Sequence, residues 1–321
     1  VGAQQADGKD MTAPPDDQPG FAPDDDAPIP YMARTRDYYQ AIGYTTPYRW
    51  AHYVAAPFQP LRKPLAQSRV TIVTTAAPFD PNKGDQGPGA KYNGGAKFYA
   101  VYDGDSSKTH DLRISHIAYD RVHTSAEDSG TWFPLPALQR LAGAGRIGEL
   151  APRFFGAPTN RSQRVTIETD APEILARCRA DQVDAVLLVP NCPVCHQTIA
   201  LVARHLEANG IATVVMGCAK DIVEHAAVPR FLFSDFPLGN SAGKPHDPDS
   251  QAFTLELALR VLEAAPGPQT TVQSPLRWRA DPSWKRDYNN VAQLEPEELA
   301  RRRREFDAQK EIARGLRNTA A

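Results

Sequence analysis

The stretch that most constrains this chain is residues 184–210, DAVLLVPNCPVCHQTIALVARHLEANG. Its residues 185–189 form a short aliphatic run, which predicts a strand buried on both faces. Beyond Pro190, the apolar positions Cys195, Ile199, Val202 and Leu206 recur at spacings of four, three and four, one face of a helix. Asn209-Gly210 stops that helix, because both residues tolerate the left-handed conformation a C-terminus needs. Cys192-Pro-Val-Cys195 therefore sits where a strand hands over to a helix, the place where open α/β sheets put their chemistry. A thiol there meets the positive end of the helix dipole, which favours thiolate, and Pro193 suits the first helical turn. The arrangement predicts a nucleophilic or redox pair, with Cys192 the more exposed attacking thiol and Cys195 the resolving one.

The rest of the chain frames that unit. Residues 1–30 are rich in Asp, Pro, Gly and Gln, too poor in apolar surface to offset chain entropy, and read as a disordered arm. Residues 31–65 interleave Tyr38, Tyr39, Tyr44, Tyr48, Trp50, Tyr53 and Phe58 with prolines, as an irregular segment. Its rings either pack on the domain surface or wall a pocket or subunit contact. Strands are predicted at residues 70–75, 98–102, 112–118, 165–169, 185–189, 211–216 and 231–235. Helices are predicted at 134–148, 171–181, 193–208, 221–226 and 253–265, and residues 295–317 form a polar helix with few anchors, fit to pack on a neighbour. This alternation gives an α/β fold, a mostly parallel sheet flanked by helices with right-handed crossovers. The expected division is an arm at 1–30, an α/β domain at 31–280 with two Rossmann-like halves (about 66–160 and 161–280), and a helical tail at 281–321.

Such a topology gathers further titratable groups. His116 and Asp120 stand at a predicted strand end, and Cys218 and the loop from Asp235 to Asn240 share the sheet edge with Cys192. His196 adjoins the pair, either tuning the thiolate or facing solvent from the first turn. Cys178 reads as an inert buried thiol. Two other uses of the cysteines stay open. Cys192, Cys195 and Cys218 could bind Zn²⁺ or a soft metal, completed by His196, His225 or His246. Cys192-Pro-Val-Cys-His196 also matches the c-type haem pattern, although in the setting of an α/β core.

A net charge of -2 is unlike a nucleic-acid-binding chain, and the run Arg301 to Arg304 reads as a solvated helical face. No apolar run reaches the ~18–20 residues of a membrane span. No signal peptide is read, the chain starting at Val1, and four cysteines do not make a disulfide scaffold; a reducing, cytoplasmic setting is expected.

Several motifs occur in an order found in one family: Tyr48-Arg-Trp50, Pro57-Phe-Gln-Pro-Leu-Arg-Lys-Pro64, residues 68–75, His116-Ile-Ala-Tyr-Asp120, Phe133-Pro-Leu135, Gly145-Arg-Ile-Gly148, the Cys-Pro-Val-Cys stretch and Phe236-Pro-Leu-Gly-Asn240. Over roughly residues 31–265 the chain resembles the selenoprotein B family of glycine, sarcosine, betaine and D-proline reductases. The resemblance implies reductive cleavage of a carbon–nitrogen bond in a small amine or amino acid, with a dithiol or protein thiol as electron donor. It also implies a reductase partner subunit, a homo-oligomer, and a selenocysteine three residues before the first Cys of the pair. Val189 stands at that position, so only Cys192 and Cys195 carry over, with the His116/Asp120 segment and the Asp235–Asn240 loop as pocket walls. No autoproteolytic cysteine that would generate a pyruvoyl group is read, so any such carbonyl comes from a partner. A non-catalytic subunit is the alternative role.

Overall fold

In the computed structural model, residues 26–159 and 162–319 are described, so the predicted arm lies outside them apart from residues 26–30. Those five are seated on the domain, with Ile29 buried. The strands are β1 (Arg69–Thr74), β2 (Ala77–Pro78), β3 (Tyr102–Asp105), β4 (Leu112–Arg113), β5 (Glu149–Leu150), β6 (Arg153–Gly156), β7 (Ala185–Val189), β8 (Ala212–Gly217), β9 (Arg230–Phe233) and β10 (Thr270–Gln273). The helices are α1 (Tyr31–Ala41), α2 (Leu135–Gly143), α3 (Gln163–Val165), α4 (Ala171–Ala180), α5 (Pro193–Ala208), α6 (Lys220–His225), α7 (Pro248–Ala264) and α8 (Pro296–Thr319).

One sheet, ordered β10-β9-β8-β7-β1-β6-β3 with β5 also against β1, runs through the described residues. Every pairing is parallel except that of β3 with β6. The aliphatic run of β7 is buried on both faces as its sequence predicts. Ala185, Leu187 and Val189 join the core beneath α2 and α7, whereas Val186 and Leu188 face α4 and α5. From β1 the chain moves one way to β5 and β6, then returns to the other side of β1 as β7. The crevice at the carboxyl ends of β1 and β7 is thus the topological switch point, where open sheets bind ligands.

Several local expectations are overturned. Residues 165–169 are helical, not a strand. Ser162 accepts the Val165 N–H at their start, and a π-turn over Thr166–Asp170 carries α3 into α4, so capping and packing outweigh the β-branched composition. The strand of this region is β6, just upstream. The expected strand at 98–102 begins only at Tyr102, and that at 112–118 is limited to Leu112–Arg113, which pairs with β2 outside the main sheet. Within the aromatic segment, residues 31–41 form α1. The crossovers also differ in hand. α5 and α7 join neighbouring parallel strands in the same lateral direction yet lie on opposite faces, so β9–α7–β10 has the hand opposite to β7–α5–β8. The face that α7 covers also carries the nine-residue α2, with Leu65, Trp132 and Phe133 in the same core.

The tail packs on its own chain. Phe306 of α8 is buried edge-on against Tyr39 and Tyr44, at centroid distances of 5.6 and 5.1 Å, and Tyr44 donates a 2.6 Å hydrogen bond to Asp307. Among the described residues, no helix is long and apolar enough to cross a membrane.

Beside the sheet, Arg230 and Glu207 form a sealed ion pair at 2.7 Å. The carboxylate also accepts the Thr213 hydroxyl at 2.9 Å, and the guanidinium donates to the Gln59 carbonyl at 2.8 Å. A buried charge that loses its partner keeps its desolvation cost. Arg230→Ala is therefore expected to destabilise the fold by about 3–5 kcal/mol in urea titrations. The apolar double variant Glu207→Leu/Arg230→Met is expected to recover most of that loss; equal stability of Arg230→Ala and the unmodified chain would contradict the assignment.

Candidate functional site

The turn between β7 and α5 is built from both sides. The Asn191 N–H donates to the Thr75 hydroxyl at 3.1 Å, tying it to the end of β1. Ser241 donates to the Pro190 carbonyl at 3.0 Å, bracing it against the loop after β9. Cys192 is the N-cap of α5, its sulfur accepting the Cys195 N–H at 3.2 Å, and Pro193 fills the first turn. The two cysteines are joined by a disulfide, with Cα atoms 4.9 Å apart.

The sulfurs are not equivalent. Cys195 is sealed (0% exposed) and its sulfur accepts a hydrogen bond from the Thr159 hydroxyl at 3.4 Å. Cys192 (6% exposed) borders a cavity of about 70 Å³ with Thr35, Tyr38, Tyr39, Lys97, His116 and Thr159. That cavity shares Thr35, Tyr39 and Val194 with a cleft of about 830 Å³ walled by Tyr44, Tyr48, Trp50 and Phe306. The aromatic segment thus walls a cavity, the second of its two sequence readings.

His116 comes to the pair from the loop after β4, not from a strand end. Among the described residues, its ring and the two sulfurs form the one group of three or more His, Cys, Asp or Glu side chains disposed to hold a metal, with ligand atoms all within 4.8 Å of one another. Burial, then the positive charges of Lys97 and Arg121, push its pKa down to about 3, so the ring is neutral near pH 7.

His196 is neither solvent-facing nor beside the sulfur. Its Nδ1 lies 2.7 Å from the Cys192 carbonyl, and its Nε2 accepts the backbone N–H groups of Cys218 and Ala219 at 2.9 and 3.2 Å. Those two donors fix the proton on Nδ1. Burial pushes the pKa down to about 4. The close approach needs Gly217, where a Cβ would lie 2.8 Å from the imidazole Cδ2.

The other sequence candidates lie elsewhere. Cys218 is buried against Ser241 at 3.8 Å, its thiol pushed up to about 12 by burial. It is outside the His116 group, so the metal set Cys192, Cys195 and Cys218 is not assembled. His225 stacks on His52, and His246 approaches Glu127 at 3.7 Å. With both His196 nitrogens engaged by the backbone, the haem pattern has no imidazole to offer iron. Asp120 accepts from the backbone of Val122 and His123 and from the His123 ring at 3.0 Å. Asp235 pairs with Lys285 in a different cavity, and Asn240 donates to its own loop at Pro237. Lys97 and Thr159 line the cavity without having stood out in the sequence. Thr159 follows β6, and recognising that strand would have exposed it as a sheet-edge residue.

Comparison with known proteins places these motifs in a group. The chain is 30% identical to the D-proline reductase subunit gamma of Acetoanaerobium sticklandii over 225 residues, 69% of this chain and 89% of that protein. It is 25% identical to the glycine reductase complex component B subunit gamma of Symbiobacterium thermophilum over 238 residues, 70% of this chain and 52% of that one. The corresponding subunit of Peptoclostridium acidaminophilum is 24% identical over 214 residues, 63% of this chain and 46% of that one. The chain thus spans about half the length of the glycine reductase subunits. No protein-family model and no solved structure matches.

The His196 geometry carries a pH signature. A folded-state pKa near 4 against an ordinary 6.5 means the unfolded chain binds the proton more readily. The stabilisation is complete above pH 6.5 and is lost as pH falls from there toward 4. Between pH 7 and 5 this one group is expected to remove about 2 kcal/mol. Urea midpoints of the unmodified chain and His196→Gln at both pH values isolate it; parallel losses in the two proteins would refute the assignment.

Proposed function

The chain belongs to the selenoprotein B family of glycine and D-proline reductase subunits, and from that premise we propose that it is the thiol-bearing reductase subunit of a multi-protein complex. Cys192 is the attacking thiol, Cys195 the resolving thiol, and the substrate a small amine or amino acid of the kind named for its relatives. One observation carries this reading: the cysteine that caps α5 borders a cavity, and its disulfide partner lies sealed behind it.

The cycle starts from the dithiol. The Cys192 thiolate attacks the carbon next to nitrogen; a C–S bond forms, the C–N bond breaks, and the amine leaves with the electron pair and takes a proton. The Cys195 thiolate then attacks the Cys192 sulfur; the S–S bond forms, the C–S bond breaks, and the carbon keeps the pair and takes a proton. An external dithiol or protein thiol, oxidised in turn, regenerates the pair by exchange. Net, C–N becomes C–H at the expense of two thiol electrons. The Thr159 hydroxyl, aimed at Cys195, supports that sulfur as an anion, and the ammonium of Lys97 suits a substrate carboxylate. A thiolate is a weaker nucleophile than a selenolate, so activation of the amine by a carbonyl on a partner subunit belongs to this proposal.

A second reading, a catalytically silent subunit, is favoured by Val189, the residue at the family's selenium position, which is fully buried in β7. The two readings separate on one variant. Consumption of amines and amino acids by the assembled complex, with dithiol as donor, is expected to fall at least ~100-fold in Cys192→Ser. Cys178→Ser is expected to keep full turnover. Undiminished turnover by Cys192→Ser would leave only the silent subunit. On the chain itself, iodoacetamide after reduction is expected to label Cys192 before Cys195 near pH 7.

A further inference from the structure

The redox cycle leaves one buried group unused, and it faces the sulfurs. His116 is nearly sealed (6% exposed), and its Nδ1 has no hydrogen-bond partner. A buried polar nitrogen without a partner forfeits its hydration, so something that restores a bond there is favoured. The group lies in the cavity wall with Cys192, and one of its ring nitrogens and both sulfurs fall within 4.8 Å of one another.

We propose that the reduced pair and His116 form a Cys₂His site for a thiophilic divalent cation, Zn²⁺ being the natural occupant, and that the Cys192–Cys195 disulfide is its closed state. The chemistry of the donors selects the ion. Two thiolates and one imidazole are the soft and borderline ligands that hold Zn²⁺ tetrahedrally, whereas Mg²⁺ and Ca²⁺ require oxygen. Two cysteines three residues apart across a helix N-terminus form a chelate, and a third ligand from a distant loop fixes its orientation. Three protein ligands leave the fourth position to water or a small molecule from the cavity, the open arrangement of zinc sites that meet substrates.

The steps balance. A dithiol or phosphine gives two electrons to the disulfide, the S–S bond breaks, and two protons make two thiols. The cation then displaces those protons, releasing two per ion bound. Exchange with an external disulfide, which takes the two electrons and leaves as two thiols, re-forms the Cys192–Cys195 bond, removes both anionic ligands and expels the ion. This inference rests on the redox reading only in requiring that the disulfide open.

The test uses the full chain, reduced with a phosphine, freed of it, and titrated with Co²⁺ beside an oxidised sample. One equivalent with thiolate-to-cobalt charge-transfer absorption, displaced by Zn²⁺, is expected for the reduced chain and none for the oxidised one. Cys218→Ala is expected to bind unchanged, whereas His116→Ala and His116→Gln bind at least roughly tenfold more weakly. X-ray absorption on the zinc-loaded unmodified chain needs no variant. A shell with two sulfurs near ~2.3 Å and nitrogen near ~2.0 Å is expected. A reduced chain that takes up no cobalt, His116 variants that bind as well as the unmodified chain, or a zinc shell without two sulfurs would each overturn the site. Thiol counting by alkylation in parallel separates the outcomes. A chain that reduces but takes no metal loses this site alone, whereas one whose disulfide resists reduction loses the redox reading with it.

Discussion

A neutral imidazole clamped between two turns holds the candidate site in shape. His196 joins the carbonyl of Cys192 to the backbone amides after β8, and every one of its polar atoms is spent on the backbone. Without it, the Cys218 and Ala219 amides after β8 would lose their acceptor in a region sealed from solvent, and the tie from the end of β8 to the Cys192 carbonyl would go, that carbonyl keeping only the His196 backbone N–H at 3.0 Å. The residue next to the cysteine pair in sequence thus has a structural task, and the histidine grouped with the sulfurs in space, His116, arrives from a loop some eighty positions upstream. Proximity along the chain and proximity to the chemistry are different things here.

From that clamp the asymmetry of the two cysteines follows. A C-x-x-C pair at a helix start places its first sulfur at the cap and its second one turn in. On a helix packed against a sheet, the second sulfur points toward the sheet and is covered, while the first looks out over the strand ends. Because β7 lies at the reversal of strand order, the first sulfur looks into a crevice, not onto a neighbouring loop. The aromatic segment then walls the approach, and α8 lies across that segment through Phe306. The tail is therefore part of the architecture around the cleft.

Much of this was legible in the sequence where one physical signal dominated. The aliphatic run of β7, the spacing of Cys195, Ile199, Val202 and Leu206, and the Asn209-Gly210 stop each read correctly because burial and helical period agree. The reading failed where tertiary context outweighed local preference. Residues 165–169 are β-branched at all but Glu168, yet Ser162 caps the helix that leads into them. His116 stands out in the sequence for a strand end, but the strand stops at Arg113, and its place in the cavity depends on a loop whose path no periodicity encodes. Asp235 and Asn240 stand at a strand's carboxyl edge as expected, but Lys285 and Pro237 occupy their polar atoms, and nothing local in the sequence signals those partners. Fold class and family were thus clear from order and pattern, whereas the membership of the pocket required coordinates.

The central claim is that electrons leave this chain through one disulfide. The most direct measurement is the intact mass of the reduced chain, with its partner subunits and no external thiol, after a single exposure to a consumed amine or amino acid. The account predicts that each molecule of product formed is matched by the loss of two hydrogens from this chain, mapped by peptide analysis to a Cys192–Cys195 bond. Product formed while both thiols remain reduced would contradict it.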